Sequence, residues 1–218
     1  MLCSPIRFLC IALPIFISGC ASPINRYNAA KYYEAASRSE AISDFPSARE
    51  YYKRTLINAQ LGNAPPEAIS AASYGYGRML GFTCDFEGAN THLKQSLELE
   101  ESSPQPNRFN ISQRLSELAR IAAVRNLPVE AANYFEKAIP LLEAQNIRQL
   151  DPIGYAKYLE EYASALDSAK NPTKASEIRS QASELRQSQP NASAKFTPRN
   201  YVDVCRKMAA SSQDKSKQ

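Results

Sequence analysis

The strongest pattern in the chain is a long-period recurrence of apolar and small positions. Phe45-Pro-Ser-Ala48, Phe86-Glu-Gly-Ala89, Pro128-Val-Glu-Ala131 and Pro172-Thr-Lys-Ala175 recur at intervals of 41, 42 and 44 residues, each between two helical stretches. A period of this length marks stacked supersecondary units. Prolines keep the same rhythm. Pro46, Pro128 and Pro172 stand where a unit's second helix would begin, a first-turn position with no use for the missing N–H. Pro66, Pro106 and Pro152 precede the next unit's first helix. The pattern predicts four helix-turn-helix hairpins over residues 27–188. Pro140, inside the apolar run Ala138 to Leu142, predicts a kink or an end near Ile139, since a straight helix through it would cost about 3 kcal/mol.

Composition supports an all-α chain. Of 218 residues, 44% are hydrophobic and 22% charged, the mixture of a soluble globular protein. Glycine is scarce and Trp absent, while Ala, Ser, Glu, Gln, Leu and Tyr dominate, which favours helices over sheets.

Small residues fill three recurring positions of each hairpin: Ala36, Gly77, Ala119 and Ala163 in the first helix, Ala48, Ala89, Ala131 and Ala175 where the second begins, and Thr55, Ser96, Ala138 and Ala182 further along it. Larger residues take the positions between: Tyr32, Leu115, Leu159, Tyr76, Leu118, Tyr162, Tyr52, Leu93 and Phe135. This arrangement resembles the tetratricopeptide repeat (TPR). The resemblance covers roughly residues 27–188 and implies a right-handed solenoid of about four TPR-like hairpins, followed by a C-terminal tail or cap at 189–218. Its closing proline is replaced by Gln60, Glu101, Glu143 and Gln187, so the second helices should run longer. Arg179 replaces an aromatic residue in the last unit, as suits a terminal repeat facing solvent.

The N-terminus is of a different kind. An apolar run, Phe8 to Ile17, has the length of a signal core and is too short to span a bilayer as a helix. It ends in Ile17-Ser-Gly-Cys20, which resembles the bacterial lipobox. That resemblance implies a cleaved signal over 1–19, an acylated Cys20 and a lipidated linker over 20–26, with anchoring that needs no transmembrane helix. Ala21 after the anchor implies, in a Gram-negative host, the outer membrane facing the periplasm. An ordinary secretory signal, in which Cys20 has no role, is the alternative.

Charge narrows the partners. The formal net charge is +4, but the tail from Ala194 carries six Lys or Arg against two Asp, and Arg7 leaves with the signal. The repeat region is near neutral, without the basic stripe a nucleic acid requires. The basic tail is either a solvated end or an attraction to anionic lipid or cell-wall polymer. Catalytic and cofactor-binding patterns are absent: there is no Gly-rich phosphate loop, HExxH or CxxC. His92, the single histidine, is expected at the surface of a second helix. No enzyme, cofactor or metal is expected, although a carboxylate pair formed in the fold, as in lytic cell-wall enzymes, remains an alternative.

Cys3 and Cys10 leave with the signal, so Cys84 and Cys205 are the two thiols left beside Cys20. In an oxidising compartment they are expected to pair. Cys205 lies about 17 residues past the last expected helix, a reach of roughly 50 to 60 Å. That bridge would pin Phe196 to Met208 across the repeats as a lid. Two free thiols are the other outcome.

The TPR resemblance implies a concave groove lined by first-helix residues: Tyr33 and Glu34, then Tyr74, Arg78 and Phe82, then Glu117 and Arg120, and last Lys157, Glu160 and Asp167. Arg78 and Arg120 occupy the same place in adjacent units and should stand side by side near Tyr74, as a site for an extended peptide's carboxylates. The function expected is a membrane-anchored interaction scaffold for an envelope protein or peptide. A peptidoglycan or other cell-wall polymer binder, or less readily a hydrolase, is the second reading.

Overall fold

The computed structural model describes residues 21–215; the expected signal over 1–19 and the acylation residue Cys20 lie outside the described residues. Four helical hairpins follow in order: α1 (Ala21–Ala41) with α2 (Phe45–Leu61), α3 (Pro66–Phe82) with α4 (Phe86–Glu101), α5 (Arg108–Val124) with α6 (Pro128–Glu143), and, after the single turn α7 (Ile147–Leu150), α8 (Pro152–Ser168) with α9 (Pro172–Ser188). An irregular segment over 189–200 leads to α10 (Tyr201–Lys215). Each hairpin packs on the next, so the fold is an all-helical solenoid of successive hairpins. The segment 20–26, expected as a linker, is helical from Ala21, and Arg26 donates to the carbonyls of Gly62 at 2.7 Å and Asn63 at 2.8 Å.

The repeated turns share one construction. Ser43, Cys84, Asn126 and Lys170 hold the same place in their hairpins, and each has a left-handed backbone, with φ of 63°, 69°, 58° and 63°. The next residue caps the second helix. Asp44, Asp85 and Asn171 accept from the backbone N–H three residues on, at 3.2, 2.9 and 3.3 Å, but Leu127 in the third unit has no oxygen to offer.

All twelve small residues are buried. Ala36, Ala48, Ala89, Ala119, Ala131, Ala138, Ala163 and Ala175 have no exposed surface, which is how the paired helices approach so closely. Tyr52, Leu93 and Phe135 fill the space between them. Two apolar clusters result, one over units one to three and one over units three and four, with Leu97 and Tyr134 packed against both. Arg179 stays exposed and pairs with Asp167.

Two expectations need correction. Of the two outcomes expected at Pro140, a kink or an end, the end is excluded: helix α6 continues past Ile139 and through Pro140 to Glu143. The proline falls in the last turn, and its own carbonyl still accepts from Ala144 N at 3.0 Å, so the loss is confined to the bond its missing N–H would have made. His92 is not on the surface: it is half-buried, edge-on to Tyr76 at 4.6 Å, and Ser73 Oγ donates to its backbone carbonyl at 2.9 Å. Burial lowers its pKa.

A buried ion pair was not foreseen. Arg114 on α5 meets Glu100 at the end of α4 at 3.2 Å, with both side chains almost wholly enclosed. Arg114 Nε also donates to Ser96 Oγ at 2.8 Å and NH1 to the Asn110 carbonyl at 2.9 Å, while Glu100 Oε1 accepts from Asn110 Nδ2 at 3.1 Å. Ser70 of α3 joins the same network, which therefore links three helices across the second and third units.

Candidate functional site

First helices line the concave side of a hairpin solenoid, and here part of that side is filled by the chain itself. Helix α10 packs on α3 and α5. Its first residue, Tyr201, is 2% exposed, its ring 4.6 Å from Phe82, whose ring in turn lies 4.7 Å from Phe45. Gly81 makes this approach possible: a β-carbon there would come within 2.6 Å of the Tyr201 ring. The Tyr201 hydroxyl donates to Glu117 Oε2. Burial, with Glu117 alongside, pushes the Tyr201 phenol well above its ordinary pKa, so it stays protonated and able to donate.

Three further ties hold the segment leading into α10. Asp151, which caps α8 by accepting from Gly154 N at 2.9 Å, also accepts from the backbone N–H groups of Lys195 at 3.1 Å and Phe196 at 3.0 Å. Lys157 Nζ donates to Thr197 Oγ1 at 3.1 Å. Cys84 and Cys205 form a disulfide, so the turn between α3 and α4 is covalently joined to α10.

The predicted groove residues separate into those brought together and those that are not. Tyr74, Arg78, Glu117 and Arg120 form one cluster. Tyr74 lies between two guanidinium groups, 5.5 Å from Arg78 and 4.9 Å from Arg114. The carboxylates that meet the two groove arginines are the chain's own, which corrects the picture of cations waiting for a ligand. Arg78 pairs with Glu40 of the preceding unit at 2.7 Å. Arg120 pairs with Glu117 at 3.2 Å and with Glu161 of the next unit at 2.7 Å. Burial works against both charges, but the surrounding acceptors outweigh it and the pKa of each rises. Tyr33 stands apart, exposed and edge-on to Tyr52 at 5.6 Å, in a hollow of the first unit with Glu34. Glu160 lies outside this cluster, exposed and paired with Arg186 at 2.8 Å, but lines the same concave opening as Arg120.

The C-terminal segment leaves two openings on the concave side. One, of about 350 Å³, is walled by Tyr74, Phe109, Tyr155, Tyr158, Leu142, Ile147 and Phe196, with Gln113, Ser116 and Glu117 as polar points. The other, of about 630 Å³, is lined by Ala123, Val124, Lys157, Ser164 and Ala165 and by Pro198 to Tyr201. Arg120, Glu161 and Pro198 border both, so the irregular segment from Phe196 to the start of α10 runs between them. Sequence reasoning missed Phe109, Tyr155, Tyr158 and Glu161 as groove residues; only Glu161 carried a usable signal, one repeat on from Glu117. The first opening suits an apolar or aromatic side chain, with hydrogen bonding at one end.

Among the described residues no group of three or more His, Cys, Asp or Glu side chains is placed to hold a metal ion, and no helix is long and apolar enough to cross a membrane.

No known family profile and no curated relative matches the chain. Solved structures do. BtubC (BKLC) from P. vanneervenii is similar at 15% identity with a TM-score of 0.64, over 78% of this chain and 67% of that one. MamA is similar at 13% identity with a TM-score of 0.59, over 76% and 82%. A kinesin-light-chain-like protein of Podosopora anserina with nearly identical TPR-like repeats is similar at 17% identity with a TM-score of 0.60, over 75% and 77%. At these identities the likeness concerns architecture, and the conclusion it carries with the buried small residues is that the chain has a TPR-like fold.

Proposed function

We propose that the chain is a protein-interaction scaffold, held by acylation of Cys20 at a bacterial membrane, in the outer membrane facing the periplasm where the host is Gram-negative. Its open concave groove receives an extended segment of an envelope protein. The observation that carries this reading is the aromatic opening between α5 and α8, where Phe109, Tyr155, Tyr158 and Phe196 surround a concavity that the chain's own C-terminal segment leaves unfilled. Rigid aromatic rings beside a few fixed polar groups form the kind of surface on which protein segments anchor. The lipobox-like Ser18-Gly-Cys20 supports the anchor, and the Cys84–Cys205 bond suits an oxidising compartment. Nothing in the groove offers the long basic track of a nucleic-acid binder.

A photo-crosslinking residue at Phe109 in the full-length protein, in native cells, is expected to capture a discrete protein, while one at exposed Asn133 on α6 is not. Equal capture at both positions would sink the groove. Cys20→Ser is expected to shift the protein from the membrane fraction to the soluble one; unchanged fractionation would remove the anchor. Sedimentation with purified peptidoglycan, if efficient, would favour the polymer-binding alternative.

A further inference from the structure

The slot that holds Tyr201 is built from repeat positions, so it has an equivalent one unit along. In the occupied slot the ring lies against Phe82 and over Gly81, with Ile121 beside Gly81, Arg78 over the Phe82 face at 5.8 Å, and Glu117 accepting the hydroxyl. Moving one repeat toward the C-terminus converts these five residues to Val124, Ala123, Ala165, Arg120 and Glu161. All five line the second opening. The acceptor is kept: Glu161 Oε2 meets Arg120 Nε at 2.7 Å, as Glu117 Oε1 meets Arg120 NH1, and Glu161 remains partly exposed. Two walls are smaller, with valine for phenylalanine and alanine for isoleucine, while Ala123 places a β-carbon where Gly81 has none, so a ring here would sit further from the α5 backbone than Tyr201 sits from α3 and would use the room left by the smaller walls.

We infer that this second slot binds a tyrosine side chain presented by an extended segment of a partner protein. The chain's own segment Pro198 to Tyr201 forms one edge of the opening, so a partner's segment would lie alongside an interface the fold already uses. The apolar walls take the ring, as Phe82 does for Tyr201, and the Glu161 carboxylate favours a phenol over a phenyl group by accepting from its hydroxyl beside Arg120. This inference rests on the groove reading above and assigns the chemistry of one of its two openings.

The test is selection of random 12-residue peptides displayed against the full chain with its disulfide intact. Selected peptides are expected to share one tyrosine. Its replacement by phenylalanine should weaken binding about tenfold, and its replacement by alanine should abolish it. Ala123→Leu lies at an exposed position and leaves folding intact; with Ser164→Leu, at another exposed position lining the opening, as a second blocking variant, it should cost at least about tenfold in affinity at an unchanged melting temperature. Failure to enrich any peptide, a consensus lacking tyrosine, or binding indifferent to both blocking variants would overturn the inference. Peptides that lose binding with Phe109→Ala but not with Ala123→Leu would leave the scaffold reading standing and discard this slot.

Discussion

The Tyr201 hydroxyl donates to Glu117, joining the first residue of the C-terminal helix to the middle of α5 across 84 positions of sequence. The acceptor is an enclosed carboxylate already shared with Arg120, so the bond is charge-assisted and poorly replaced by water. Tyr201→Phe keeps the ring against Phe82 and removes only the donor. It should lower unfolding free energy by about 2 kcal/mol in urea titrations, and a loss no larger than that of an exposed Tyr27→Phe control would show that Arg120 satisfies Glu117 alone.

Alkaline pH acts on the same residue and on others. Burial raises the pKa of Tyr52, Tyr74, Tyr155, Tyr158 and Tyr201 in the folded chain. In the unfolded chain these phenols ionise near pH 10, so above that pH the unfolded state holds fewer protons and stability falls as pH rises. Below pH 10 their contribution is complete. Tyrosinate absorbance should therefore lag behind that of free tyrosine and then rise together with the loss of helical signal. A smooth titration at pH 10 with the helices intact would contradict the enclosed environments.

The disulfide closes a span of 121 residues. In the chain-entropy account a loop of this length stabilises by about 4 to 5 kcal/mol, and measured values are commonly smaller, about 2 to 4 kcal/mol. Cys205→Ser, and reduction of the unaltered protein, should each lower the denaturation midpoint by a comparable amount. Identical midpoints with and without reductant would mean that the bond adds nothing beyond the Tyr201 and Asp151 contacts.

The uncapped start of α6 offers the opposite test. Leu127 is exposed and occupies the place where Asp44, Asp85 and Asn171 cap their helices. Leu127→Asp should accept from the backbone N–H of Glu130 and raise stability by about 1 kcal/mol in thermal or urea melts.

Breaking the enclosed pair should cost more than the loss of the Tyr201 donor or of a helix cap, and about as much as loss of the disulfide. Arg114→Met leaves Glu100 without its cation in a site closed to water, at about 3 to 5 kcal/mol. The double variant Arg114→Met with Glu100→Met should recover part of that loss, and purely additive effects in a double-mutant cycle would deny the coupling.

The hairpins were legible because each unit repeats a requirement of close helix contact, and twelve small residues at three positions state it four times over. The C-terminal helix carried a weaker signal. Tyr201, Val204, Cys205 and Met208 have helical spacing, and Asn200 Oδ1 accepts from Asp203 N at 3.1 Å as an N-cap, but the basic, polar composition of the tail obscured a single amphipathic turn pattern. At the groove, the repeat positions predicted where Arg78 and Arg120 stand, while their partners were hidden. Glu40 and Glu161 come from flanking units, and no local spacing ties an arginine to a carboxylate 38 or 41 residues away. The pairing of Arg114 with Glu100 was hidden for the same reason.

A linear array of repeats ordinarily frays from both ends, since each unit is held only by its neighbours. Here the chain returns from beyond the fourth unit and is fastened to the second by the Cys84–Cys205 bond. The last three hairpins thereby become a closed circuit that cannot peel away unit by unit, and the loose end of the array is the first hairpin alone. Amide exchange should accordingly be fastest in α1 and α2, at the end nearest Cys20, so that any give in the molecule is concentrated on one side.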